Sequence, residues 1–135
     1  MNYDHFIGQV QNRARLSSRE AAVTAIRATL EALALRLSED GAAHLAAQLP
    51  KEIGEYIRVM EGNDTIRPER LTLTEFFELV AAIEGVPIPR AEIDARVALQ
   101  VAAEAISNGE LRKLEAQLPA SFKELLEDRT EIYQM

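Results

Sequence analysis

An all-α domain of about eight helices, arranged as two tandem related four-helix repeats, is the fold this sequence predicts, and three observations predict it. The run Leu45-Ala46-Ala47-Gln48-Leu49-Pro50 returns as Leu114-Glu115-Ala116-Gln117-Leu118-Pro119, 69 positions later; recurrence at a fixed offset is the mark of a duplicated supersecondary unit. Apolar side chains recur at spacings of three and four along most of the chain, the period of a helix with one buried face. The apolar share, 47% of residues, is dominated by Ala and Leu, both strong helix formers.

The elements follow in order. Tyr3, Phe6, Ile7 and Val10 form the apolar stripe of a first helix. Ser17 with Glu20 three residues later reads as a capping box opening a long second helix, along which Val23, Ile26, Leu30, Leu33 and Leu37 form a seam. Glu39, Asp40 and Gly41 mark a break into a short third helix through Leu45, and Pro50 separates it from a fourth that carries Ile53, Tyr56 and Ile57. Residues 1–60 make the first repeat, 61–73 a connecting loop and 74–135 the second repeat, all within one compact domain. In the second repeat Thr72 and Glu75 cap a helix bearing Phe76, Phe77 and Val80, and the turn Gly85-Val86-Pro87-Ile88-Pro89 places Pro89 at the first position of another long helix. Ser107 with Glu110 opens the next helix, and Pro119 opens the last, with Phe122, Leu125 and Leu126.

Aligned at this offset, the two long helices place large residues of one opposite small residues of the other. Val23, Ile26 and Leu33 fall on Glu92, Ala95 and Ala102, whereas Ile93, Val97 and Val101 fall on Thr24, Ala28 and Ala32. The pattern predicts that both helices lie at the centre, with Ile93 and Val97 buried between them.

The paired Gln-Leu-Pro motifs, the run from Leu33 to Leu45 and the segment from Phe76 to Val80 together resemble the family catalogued as domain of unknown function 2267, over nearly the full chain. The resemblance implies an all-α domain of bacterial origin and brings no activity, cofactor or partner with it.

Composition excludes several function classes. There is no Cys, hence no disulfide, thiolate metal site or cysteine nucleophile, which suits a reducing cytoplasm. Neither a secretory leader nor a membrane-spanning apolar run is legible. The net charge is −7, with seven Lys/Arg against seven Asp/Glu in residues 1–60 and eight against fifteen in residues 61–135. Such a balance repels nucleic acid, and Arg13, Arg15 and Arg19 are the one local basic cluster, too short for an anionic membrane.

Four residues are candidates for binding. Gln48 and Gln117 stand beside helix starts, where amide groups and free backbone N–H donors can meet an anion or a peptide; the plainer reading is that Leu49 and Leu118 fill core, Pro50 and Pro119 start helices, and the glutamines cap neighbouring helix ends. Arg27 and Arg96 occupy equivalent seam-edge positions, as a paired anion site or as stems laid over core. His5 and His44 lack a third convergent ligand, and carboxylates at helical spacing, Glu75/Glu78 and Glu124/Glu127/Asp128, read as solvated faces. No glycine-rich phosphate loop or nucleophile elbow occurs, and nothing calls for a cofactor. The expected function is a non-catalytic cytosolic module binding a protein partner or a second copy of itself, through its acidic second half or the groove between repeats. The alternative is a small-molecule or lipid-binding domain with a pocket lined by Phe6, Phe76, Phe77 and Phe122.

Overall fold

The computed structural model describes residues 1–61 and 71–126, and these form eight helices with no strand among the described residues. They are α1 (Tyr3–Arg13), α2 (Arg19–Arg36), α3 (Glu39–Gln48), α4 (Lys51–Arg58), α5 (Leu73–Glu84), α6 (Ile88–Ala105), α7 (Asn108–Ala116) and α8 (Ala120–Leu126). Most of the connecting loop and the carboxylates Glu127 and Asp128 lie outside the described residues.

Side-chain oxygens set most of the helix starts. Ser38 and Ser107 accept from the backbone N–H of Gly41 and Glu110, and Thr72 forms the full reciprocal box with Glu75, each supplying an acceptor to the other's N–H at 3.0–3.1 Å. The Thr72 backbone N–H first, and then its hydroxyl, hold the Glu75 carboxyl below the usual carboxylate range. Three expectations shift. The cap of α2 is Ser18, bonded to the N–H of Ala21, and not Ser17; Glu20 then falls at the second helical position, a residue short of the reach a capping box needs. Gly41 lies inside the first turn of α3, which breaks from α2 at Leu37–Ser38 and runs on to Gln48. Pro89 occupies the second position of α6, with Pro87 as its cap; the first four N–H groups of a helix have no partner within it, so proline is tolerated at either place. Gly85 ends α5 in the left-handed conformation, φ 77°, that lets the chain reverse within three residues.

The long helices are the centre. α2 packs on α1, α4, α5 and α6, and α6 packs on α1, α2, α5 and α8, while α3 and α7 lie against each other at one side. Every residue from Val97 to Ala102 is buried, which requires neighbours all round the helix. Ala25, Ala28, Ala32, Ala95 and Ala102, all at most 2% exposed, let the backbones come close, and Ile26, Leu33, Val97 and Val101 fill the space beside them. Ile93 is a correction: at 36% exposed it lies outside the centre, one turn before the stretch of α6 that is enclosed on all sides. The aromatic rings cluster at the interior, with Phe76 5.4 Å from Phe122 in edge-on contact and 5.7 Å from Phe77.

Phe76→Ala is expected to lower stability by about 3–5 kcal/mol, since the ring is fully buried among two others. Ile93→Ala is expected to cost less than about 1 kcal/mol. Urea unfolding of both variants, followed by circular dichroism, checks the contrast; equal losses would place Ile93 back in the core.

Candidate functional site

The repeated glutamines come together. α3 and α7 border one groove, lined by Gly41, His44 and Gln48 from the first and by Glu110, Lys113 and Gln117 from the second. Ser38 Oγ donates to Gln117 Oε1 at 3.1 Å while accepting from the N–H of Gly41. Gln117 therefore closes over the first turn of α3, and it does so because residue 41 has no side chain: a Cβ there would stand 1.8 Å from Gln117 Oε1. At the other end of the groove Glu110 takes the place that the repeat gives to Gly41, its carboxylate meets Lys113 Nζ at 3.3 Å, and Gln48 is exposed. The groove has an internal volume of about 20 Å³, room for one water molecule. Leu49 and Leu118 are both buried, and Pro50 and Pro119 stand directly before α4 and α8.

The candidate arginines are engaged on their own helices. Arg27 meets Glu31 at 3.5 Å and lies in the field of Tyr56, whose phenol is raised by burial and by a hydrogen bond with Tyr3. Arg96 donates to Glu92 Oε1 at 3.0 Å and covers the Phe77 ring at 5.4 Å from its centroid. His5 and His44 are exposed, and no group of three or more metal-binding side chains converges among the described residues. The four phenylalanines proposed as pocket walls are at most 6% exposed and pack on one another or on the surrounding core. A second groove, between Leu37, Ser38 and Ala42 on one side and Ile57 and Met60 on the other, also encloses about 20 Å³. Drug-sized ligands occupy cavities at least an order of magnitude larger.

The most unusual chemistry lies elsewhere, where the ends of α1 and α5 meet the start of α6. Asp94 is wholly buried. Its Oδ1 accepts from Arg90 through both Nε, at 2.9 Å, and Nη2. The same Nη2 donates to the Ala14 carbonyl at 2.6 Å, satisfying an orphan acceptor at the end of α1; the chain then turns through Arg15 in a left-handed conformation, φ 55°. Glu84, the last residue of α5, faces Asp94. Burial first, and then its hydrogen bond with Asp94, push the Glu84 carboxyl up to about 9, against a smaller opposing pull from Arg90. Glu84 Oε1 and Asp94 Oδ2 are buried and face no donor, so the two carboxyls can bond to one another only where one of them carries a proton.

Neither Glu84 nor Arg90 nor Asp94 stands out in the sequence. Arg90 and Asp94 read as an ordinary surface pair at i,i+4. The available signal was that Asp94 falls on the same helical stripe as Ala91, Ala95 and Ala98, all of which are buried.

Gly41→Ala raises helix propensity yet collides with Gln117, so the two effects oppose each other. In a Gln117→Ala background the substitution is expected to stabilise by up to about 1 kcal/mol, and by clearly less in the parent. A double-mutant cycle read by thermal unfolding checks it, and an equal gain in both backgrounds would dissolve the proposed closure of Gln117 over α3.

Two grooves of water size and a dry carboxyl pair name no substrate, and no curated protein matches the chain. A family model does, over residues 3–125 and so over all eight helices nearly to their end: the chain belongs to the family described as uncharacterized conserved protein DUF2267.

Proposed function

We propose that the chain is a non-catalytic interaction module of the bacterial cytoplasm, which seats a partner protein on the corner between α5 and α6. The observation that carries this reading is the exposure of Ile88, at 48%, and of Ile93, at 36%, on a helix whose other large aliphatic side chains, Val97, Leu99 and Val101, are buried. Pro87 and Pro89 are exposed beside them, and Pro89 stands one turn before Ile93 on the same face. Rigid prolines cost little entropy on binding. The partner that fits is a segment with an apolar stripe flanked by Lys or Arg, because the surplus of negative charge belongs to residues 61–135. A ligand pocket has less support, since the aromatic side chains that would line it are packed into the core.

The duplication belongs to the same reading. Two copies of one four-helix unit are supported by helices of 11, 18, 10 and 8 residues followed by 12, 18, 9 and 7. Contacts of α1 with α2, α2 with α4 and α2 with α5 have counterparts in α5 with α6, α6 with α8 and α6 with α1. In the first copy the position of Ile93 holds Thr24, whose hydroxyl bonds to its own helix at Glu20. Only one copy thus presents the apolar corner, and a single partner per chain follows.

A photo-crosslinking residue placed at position 88 or 93 in cells is expected to yield adducts of defined mass that the same residue at exposed His44 does not. The pair Ile88→Asp/Ile93→Asp is expected to keep the parent melting temperature and to weaken partner binding by about tenfold or more, as loss of an apolar anchor does. Indistinguishable adducts at all three positions would remove the corner as the docking face, and an adduct of twice the chain's own mass would make the occupant a second copy.

A further inference from the structure

We propose that Glu84 and Asp94 share a single proton and that this proton is a latch, holding the α5–α6 corner and the end of α1 together. The geometry supplies the argument. Two carboxyl oxygens, Glu84 Oε1 and Asp94 Oδ2, are shut away from water and face no donor, yet a buried acceptor without a partner costs free energy that native structures avoid. One proton carried by Glu84 satisfies both at once, donated from its O–H to the Asp94 carboxylate. The charges then balance: one carboxylate, the wholly buried Asp94, meets one guanidinium, the partly exposed Arg90. Position favours the same state, because Glu84 closes α5 and the carboxyl-terminal end of a helix disfavours a second negative charge.

The charged groups acting on Glu84 are Asp94 and Arg90, both from α6. From the α1 side comes the Ala14 carbonyl, while Arg13 is held in a two-bond pair with Glu104, at 2.5 and 2.7 Å. Removing the proton leaves two carboxylates against one guanidinium. Arg90 is then drawn towards both acids, the Ala14 carbonyl loses its donor, and Glu84, already half-buried, turns out to solvent. The join between α1, α5 and α6 opens without any change elsewhere in the core.

The pH dependence has a definite sign. An unfolded glutamate titrates near 4.3 and Glu84 in the fold near 9, so between these values the native state holds one proton more than the unfolded chain. The stabilisation is complete below the lower value and is lost progressively as pH rises towards the upper one.

The experiment uses the full chain labelled with carbon-13 at the glutamate carboxyls, titrated from pH 4 to 10, beside melting and amide-exchange measurements on the parent and on Glu84→Gln. The amide of Gln keeps a donor towards Asp94 and cannot ionise. The expected result is a Glu84 carboxyl signal that stays at its protonated position through neutrality and moves near pH 9. With it, the parent's melting temperature falls across pH 5–9 relative to Glu84→Gln, and amide protection around Glu84 to Asp94 is lost above pH 9 in the parent alone. A Glu84 signal moving near pH 4.5 overturns the shared proton, in the parent protein and whatever the variant does. A signal moving near 9 without the local loss of protection overturns the latch.

Discussion

Enclosure of the middle of α6 on all sides, and of α2 on all but the stripe of Arg27 and Glu31, is the constraint from which the rest of this structure follows. A helix that touches neighbours around its whole circumference cannot carry large side chains everywhere, because the neighbouring backbones stand only about 8–10 Å away. α2 and α6 meet this with alanines at Ala25, Ala28, Ala32, Ala95, Ala98 and Ala102, and larger aliphatics fill the gaps between. The outer helices are thereby released from the need to be apolar throughout. α7 buries only Leu114 among its nine residues, and α8, with seven, is anchored by Phe122, Leu125 and Leu126. Isolated helices of that length are unstable in water; packing on the central pair is what holds them.

The fold was legible because its signals are local. Helix starts are written in Thr72 and Ser107, each of which accepts from the N–H three residues on, whereas Ser38 caps α3 in the same way beside the acidic pair and glycine read as the break. Ser17 and Ser18 are adjacent and can both cap by residue type, and the structure uses the second. Ile93 shows a different limit. Its apolar spacing with Val97 is real, but spacing gives the direction of a side chain and says nothing of whether another helix reaches that far along the axis.

Beyond the place of Asp94 on a buried alanine stripe, the ionic cluster was not legible, for a physical reason. Arg90 and Asp94 at i,i+4 form the commonest of exposed pairs, worth little in water. Only the third member, Glu84, and the fourth, the carbonyl of Ala14, convert it into a buried network, and both arrive from other elements. Among the described residues Asp94 joins Thr29 and Gln100 as the buried polar side chains of an otherwise apolar interior. Charges so placed are weak sources of stability, but a mispaired helix would leave them without partners and is penalised heavily. They fix which neighbours the alanine-rich helices accept, a choice that small, similar side chains leave open.

The end of α1 is where these considerations meet. Arg13 reaches from it to Glu104, near the end of α6, and Arg90 reaches back to Ala14 from near the start of that helix. Residues 90 and 104 are about 21 Å apart along a helix that rises about 1.5 Å per residue, so two long arginine side chains clasp the end of α1 from opposite directions. The two grips differ in kind. Arg13 and Glu104 are partly exposed, at 22% and 44% of their side-chain surface, and added salt screens them. In the inner pair Asp94 is wholly buried while Arg90 keeps 33% of its side-chain surface exposed, so salt reaches this grip through the arginine alone, and the grip answers also to the proton on Glu84. Of the two acidic partners only Glu104 meets solvent, so ionic strength acts more on the outer half of the joint and pH on the inner.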